Sequence, residues 1–389
     1  MRTSDCIKLI IGYAVMITFL SCKEIFDPHI EAKTTGLLVV EGSINSGQGH
    51  TTIRLSHSSS LEDAALKPEL GAQVDVEGED GSDFPLFENG NGEYNGAQLT
   101  VNNGVQYRLH IRTTDGKQYA SDYTAVKYTR LIESITWQRE NDGLRLYANS
   151  HDPQNDTKYY QWKYEESWEI HSTYNNKLMY FIDPVTTIPT AVAYKYPDKS
   201  DDTTIYKCWN TLNSSAINLG STEKLTSDVV YLPVQYIEPH SEKLSVLYSI
   251  NPRQYAISKD DYLFLQKMKK NTEQLGTPFD PQPSEISRNI HCLTDPNETV
   301  IGYMEITQEQ LKRIFISNTL VPDWNHDPDC VFIEVANNRD SIAKYGVDLM
   351  PTLVSKENPF IGIISFFAAP PHCVDCTLRG VHQKPDFWP

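Results

Sequence analysis

From Gly36 to about Arg130 the chain alternates apolar and polar residues in short runs, each cut by a turn signal. Leu37-Leu38-Val39-Val40 opens the series; Ile53 and Leu55 then alternate with Thr52, Arg54 and Ser56. Val74 and Val76 repeat the pattern, and Val105, Tyr107, Leu109 and Ile111 give its clearest instance. A period of two puts one set of side chains on one face of a strand, and half-buried strands satisfy that pattern. The cuts fall at Asn45-Ser46-Gly47, Glu79-Asp80-Gly81, Asn89-Gly90-Asn91-Gly92, Asn102-Asn103-Gly104 and Asp115-Gly116, residues that tolerate tight reversals. Strands spaced about ten residues apart predict an immunoglobulin- or fibronectin-like β-sandwich over residues 34–130. Asp80, Asp83, Asn89, Asn91 and Glu93 offer oxygen ligands but lack the fixed spacing of a calcium loop, and read as turn chemistry.

The pattern restarts at Leu131, so residues 131–389 are expected to form a larger β-rich domain. Ile135, Trp137, Leu144, Leu146 and Tyr147 begin a second sandwich, and Tyr160-x-Trp162-x-Tyr164 reads as its core stripe. Residues 171–207, with Pro184, Pro189 and Pro197, form an insertion without alternation that must pack on the sandwich or offer a contact surface. One amphipathic helix is predicted over 259–275. Ser258 caps it, Asp261 closes a capping box, and Phe264, Leu265, Met268, Thr272 and Leu275 share a face. Gly276 ends it, and the proline-rich Phe279–Pro283 segment is stiff and extended. The fold class is mainly β.

The amino terminus is of another kind. Arg2 and Lys8 precede an uncharged run from Leu9 to Leu20, shorter than the roughly 20 apolar residues that span a bilayer. Residues 1–21 read as an export signal. Leu20-Ser21-Cys22 resembles a bacterial lipobox, which implies lipidation of Cys22 and attachment of the chain to a membrane through that lipid. Residues 22–33 are a polar tether. Within it Glu24 and Asp27 resemble acidic tags that direct lipoproteins to the cell surface, or are a plain solvated linker.

The formal net charge of −17 becomes −18 once Arg2, Asp5 and Lys8 are removed. Such a chain is repelled by phosphate backbones, which argues against nucleic acid as a partner.

Five cysteines remain beyond Cys22. Two disulfides are expected, drawn from Cys208, Cys330, Cys373 and Cys376, with Cys292 as the spare thiol. Cys373 and Cys376 should reach different partners, because a bond across two intervening residues closes a strained ring. The tail His372-Cys373-Val374-Asp375-Cys376 with His382, and the run His326–Cys330, carry metal-ligand residue types. The tail lacks a second close pair for zinc and oxidation is favoured outside the cytosol, so no metal and no cofactor are expected. No Gly-x-Ser-x-Gly elbow, His-Glu-x-x-His helix or phosphate-cradling loop is present, and the chain is read as no enzyme.

Three stretches carry a family resemblance: Tyr248–Ile250 through Gln254–Ser258; Phe279–Ser284 with Asn289-Ile290; and Cys373–Cys376 through Lys384–Trp388. With Cys22 they resemble the Bacteroidota lipoproteins grouped as domain of unknown function 4249. That resemblance implies an outer-membrane lipoprotein, facing the cell exterior, that works as a non-catalytic accessory partner of a TonB-dependent transporter in nutrient uptake. The alternative is a free-standing surface protein that binds glycan, peptide or host ligand through exposed aromatics of 171–207. Asp202-Thr203-Thr204 and Asp340-Ser341-Ile342 resemble the O-glycosylation sites of exported proteins in that phylum, which would modify Thr203 and Ser341, or they are polar turns.

Overall fold

The computed structural model describes residues 36–59, 67–102, 104–154, 156–273, 289–345 and 348–389. The signal, Cys22, the tether, Gly276 and the Phe279–Pro283 segment lie outside the described residues.

Nine strands precede residue 131: β1 (Leu38–Asn45), β2 (Thr51–His57), β3 (Lys67–Pro68), β4 (Gln73–Gly78), β5 (Asp83–Gly90), β6 (Glu93–Gly96), β7 (Gln106–Arg112), β8 (Gln118–Ser121) and β9 (Thr124–Ala125). They form one curled sheet that folds over on itself at β5. The first half of β5 pairs with β4 (Val76 opposite Phe84) and its second half with β6 (Phe87 opposite Asn95). One layer therefore carries β1, β2 and β6, and the other β4, β7 and β8. The alternating residues read from sequence meet between them: Val40, Ile53, Leu55 and Tyr94 face Val74, Val76, Leu109 and Ile111. Burying each such side chain contributes about 1.5–3 kcal/mol. The turns are as their residues require, with Asn91, Gly92, Gly81 and Gly116 all at positive φ. Asp80 accepts hydrogen bonds from Ser82 and Asn102, the turn role expected for it.

Residues 131–273 add β10 (Ser134–Glu140), β11 (Gly143–Asp152), β12 (Tyr159–His171), β13 (Leu178–Ile182), β14 (Pro189–Tyr194), β15 (Lys207–Asn213), β16 (Asn218–Ser221), β17 (Asp228–Ile237), β18 (Leu247–Ala256) and helix α1 (Lys259–Glu273). After residue 288 come β19 (Ile290–Cys292), β20 (Ile306–Thr307), β21 (Gln310–Leu311), β22 (Ile314–Ser317), β23 (Ile333–Ala336), α2 (Arg339–Tyr345), β24 (Met350–Asn358), β25 (Gly362–Ala369) and α3 (Pro371–Val374).

A second sandwich packs the sheet β10-β11-β17 against a six-stranded sheet centred on β12 and β18. Tyr160 and Trp162 are fully buried between them, and the Trp162 indole N–H donates to Gln254 at 3.0 Å. Helix α1 lies on the end of this sandwich, with Leu265 and Tyr262 against Tyr159, Tyr255 and Ile257. The Ser258 hydroxyl accepts the Asp261 N–H at 3.0 Å as a cap should. The reciprocal arm is a correction: Ser258 N–H goes to the Glu305 carboxylate at 2.9 Å, not to Asp261.

Three further features correct the sequence reading. Residues 289–307 return to the first sandwich, where β19 pairs with β8 and β20 with β1, so 131–389 is not one self-contained unit. Strands of two or three residues have no period to read. The 171–207 insertion holds the hairpin β13–β14, which packs with α2 and the sheet β23-β25-β24 around Leu178, Val192, Val335, Ile342 and Phe366. Its turn is set by Asp183, whose carboxylate accepts the N–H groups of Val185 and Thr186. Helix α2, capped by Asn338 through the Ser341 N–H, buries only Ile342 and is too short to announce itself by periodicity.

Candidate functional site

The four cysteines expected to pair do so as Cys208–Cys376 and Cys330–Cys373, and Cys292 is a buried free thiol. Cys373 and Cys376, separated by Val374 and Asp375, bond to different partners, as expected from ring strain. Cys330, His372 and Cys373 bring three ligand atoms together, but two of them are sulfurs already bonded to each other, which leaves His372 alone. Cys373 sits in the four-residue α3, whereas the Cys-x-x-Cys of a thioredoxin-like redox site opens a long helix. Thr203 is exposed on the turn after Asp202, whereas Ser341 is half-buried in α2.

Beyond the disulfides the tail lies along the six-stranded sheet. Val381 and Trp209 exchange backbone hydrogen bonds at 2.8 Å, and a Cβ on Gly380 would meet the Trp209 carbonyl at 2.6 Å. Trp388 is buried against Phe315 with ring centroids 5.5 Å apart, and the Arg313 guanidinium lies 3.5 Å over the Phe387 ring.

Two surfaces are left to recognise something else. The first is apolar. Nearly half of the large apolar side chains exposed among the described residues belong to the unit of β13–β14, β23–β25 and their connections. Met179, Phe181, Ile182 and Ile188 flank the hairpin tip, where Val185 is 88% exposed; at the β24–β25 turn Phe360 is 94% exposed and Ile361 follows it. The exposed aromatics of 171–207 are Phe181 and Tyr196, and most of this face is aliphatic. Tyr180 and Tyr194 turn toward the unit's own core, and Tyr174 stacks edge-on against Phe332. Alternation along β13 buries Leu178 and leaves Met179 and Phe181 outward, a signal the prolines obscured.

The second is a polar cleft of about 860 Å³ between the two sandwiches. One wall is the outer face of β1, β2 and β6, with Glu41, Thr52, Arg54 and Glu93. The other is the outer face of β12 and β18, with Lys163, Arg253 and Tyr255. The segment carrying β20 and β21 joins the walls: Ile306 pairs with β1, and Leu311 pairs with Arg253 of β18. Asn45 ties the floor, since its side-chain oxygen accepts the N–H of Gly47 at 2.9 Å and of Glu309 at 3.1 Å. Glu309 in turn holds the Tyr255 hydroxyl and lies 3.5 Å from Arg253. Lys163 reaches solvent through the cleft mouth but is walled by protein, and that desolvation holds its amine below the ordinary lysine value. Sequence reasoning missed this cleft, because each of its residues reads alone as the solvated face of a strand.

Among the described residues no helix is long and apolar enough to cross a membrane. No curated protein matches the chain. The model of a family described as Domain of unknown function (DUF4249) matches residues 23–313, well over half of the chain. The tail from Cys373 to Trp388 lies beyond that match. On that match the chain belongs to the family of the domain of unknown function DUF4249.

Proposed function

We propose that this chain is a lipid-anchored outer-membrane protein of the Bacteroidota type that serves as a non-catalytic accessory partner of a TonB-dependent transporter. The observation that carries the reading is the exposed apolar rim at the tips of β13–β14 and β24–β25. Rigid hairpin tips that hold Phe181, Ile182, Val185, Phe360 and Ile361 in water are unfavourable on a free protein and suit a lasting protein contact. The unit that carries them is closed on itself by Cys330–Cys373 and tied to the second sandwich by Cys208–Cys376, so the contact is preorganised. The lipid on Cys22 supplies attachment, and the acidic surface steers cationic cargo.

Affinity purification of the tagged full chain from solubilised membranes tests this. A TonB-dependent transporter, identified by mass spectrometry, is expected with the wild type and lost with the pair Phe181→Ser and Phe360→Ser. Repeated recovery of the wild-type chain alone overturns the reading and favours a free-standing surface binder, which the inter-sandwich cleft would serve.

A further inference from the structure

In the cleft, two ion pairs form within the fold and two charges remain outside them. Lys163 and Arg253 stand directly opposite on β12 and β18, a like-charge pair of the kind that weakens a sheet. Arg253 turns to Glu309, and Lys163 is left without an ion pair or hydrogen bond among the described residues, its amine 5.8 Å from the Tyr255 ring centre. Across the cleft Arg54 has two acidic cross-strand neighbours, Glu41 on β1 and Glu93 on β6. It pairs with Glu93 at 3.2 Å, and the Glu41 carboxylate is left with no partner among the described residues. An amine without an ion pair, backed by a guanidinium and influenced first by the Asp261 charge and then by Glu41, thus shares the cleft with the exposed Glu41 carboxylate, on walls joined by the Asn45–Glu309 floor. Local conflicts that the fold does not use mark functional positions.

We infer that this cleft binds a short peptide as a zwitterion, with its terminal carboxylate on Lys163 and Arg253 and its terminal ammonium on Glu41. Size agrees, since sites of 300–1,000 Å³ hold small ligands. A sugar is the poorer fit: the Tyr255 ring faces the Lys163 amine and its hydroxyl is held by Glu309, so it offers no open stacking platform. The inference stands apart from transporter docking, because the apolar rim and the cleft share no residue.

Isothermal titration of the full chain in detergent tests it with four probes: tri-alanine, its amide, its N-acetyl form, and maltotriose. Tri-alanine is expected to bind at least tenfold more tightly than either blocked form, and maltotriose not at all. Lys163→Met should weaken tri-alanine at least tenfold and leave the amide unchanged. Glu41→Gln should weaken tri-alanine likewise and leave the N-acetyl form unchanged. Equal binding of free and blocked peptides, no heat with millimolar tri-alanine, or preference for maltotriose overturns the inference. The blocked peptides need no variant, so the test survives a substitution that disturbs folding.

Discussion

The indole N–H of Trp388 donates to the Glu169 carboxylate at 3.1 Å, joining the penultimate residue to the last residues of β12, two before His171. Glu169 also accepts from Lys207 at 2.8 Å and lies 2.7 Å from His171. Burial alone would raise its pKa, but Lys207, His171 and Trp388 together outweigh that and hold it below the ordinary value of 4.5.

The tail is therefore expected to stabilise the second sandwich. Trp388→Phe removes one donor from a carboxylate that keeps two others and should cost about 1 kcal/mol. Trp388→Ala also removes the packing on Phe315 and should cost about 3 kcal/mol. Because the folded pKa of Glu169 is depressed, its contribution is present above 4.5 and lost as pH falls through the folded value. Calorimetry across that acidic window should show a shallower loss for Glu169→Gln than for the wild type.

The two disulfides should differ in reactivity. Cys208 and Cys376 are fully buried, whereas Cys330 is half-buried beside the exposed His372. Graded reduction followed by thiol labelling should open Cys330–Cys373 first, and non-reducing peptide mapping should recover both links. Each is expected to stabilise by roughly 2–4 kcal/mol, with the greater share from the link that spans 168 residues.

Asp261 tests the junction of α1 with the first sandwich. Burial, and then the neighbouring Glu305 charge, push its carboxyl well above the usual aspartate range. A raised acid pKa gives stability that is full below the unfolded value of 3.8 and declines as pH rises through the folded value. Asp261→Asn should therefore stabilise the protein at pH 7 and change little at low pH. A thermal melt at the two pH values decides it.

On the lipid attachment proposed at Cys22, Cys22→Ser should release the chain from membranes into the soluble fraction after cell lysis. Retention at the wild-type level would refute lipid attachment at that residue.

How much of this was legible depended on whether neighbours in sequence are neighbours in space. Ile53 and Leu55, or Leu109 and Ile111, declare their face by alternation along a single strand, so the first sandwich could be read directly. The divergence of Cys373 from Cys376 followed from local geometry, but the choice between Cys208 and Cys330 as partners needed the packed tail. The cleft is set by the meeting of two sheets: Glu41 and Lys163 are far apart in sequence and individually ordinary. The hairpin at Leu178–Tyr194 was hidden by prolines, and β19 and β20 by their brevity.

The return of residues 289–307 to the first sheet dictates an order of events during synthesis. Until that segment emerges, β1 and β8 are each one neighbour short, their backbone groups open to pairing with any other extended chain. The amino-terminal sandwich thus waits, incomplete, on polypeptide made much later. Contacts of such long sequence separation fold slowly, and the exposed interval is one in which a holding chaperone would have work to do.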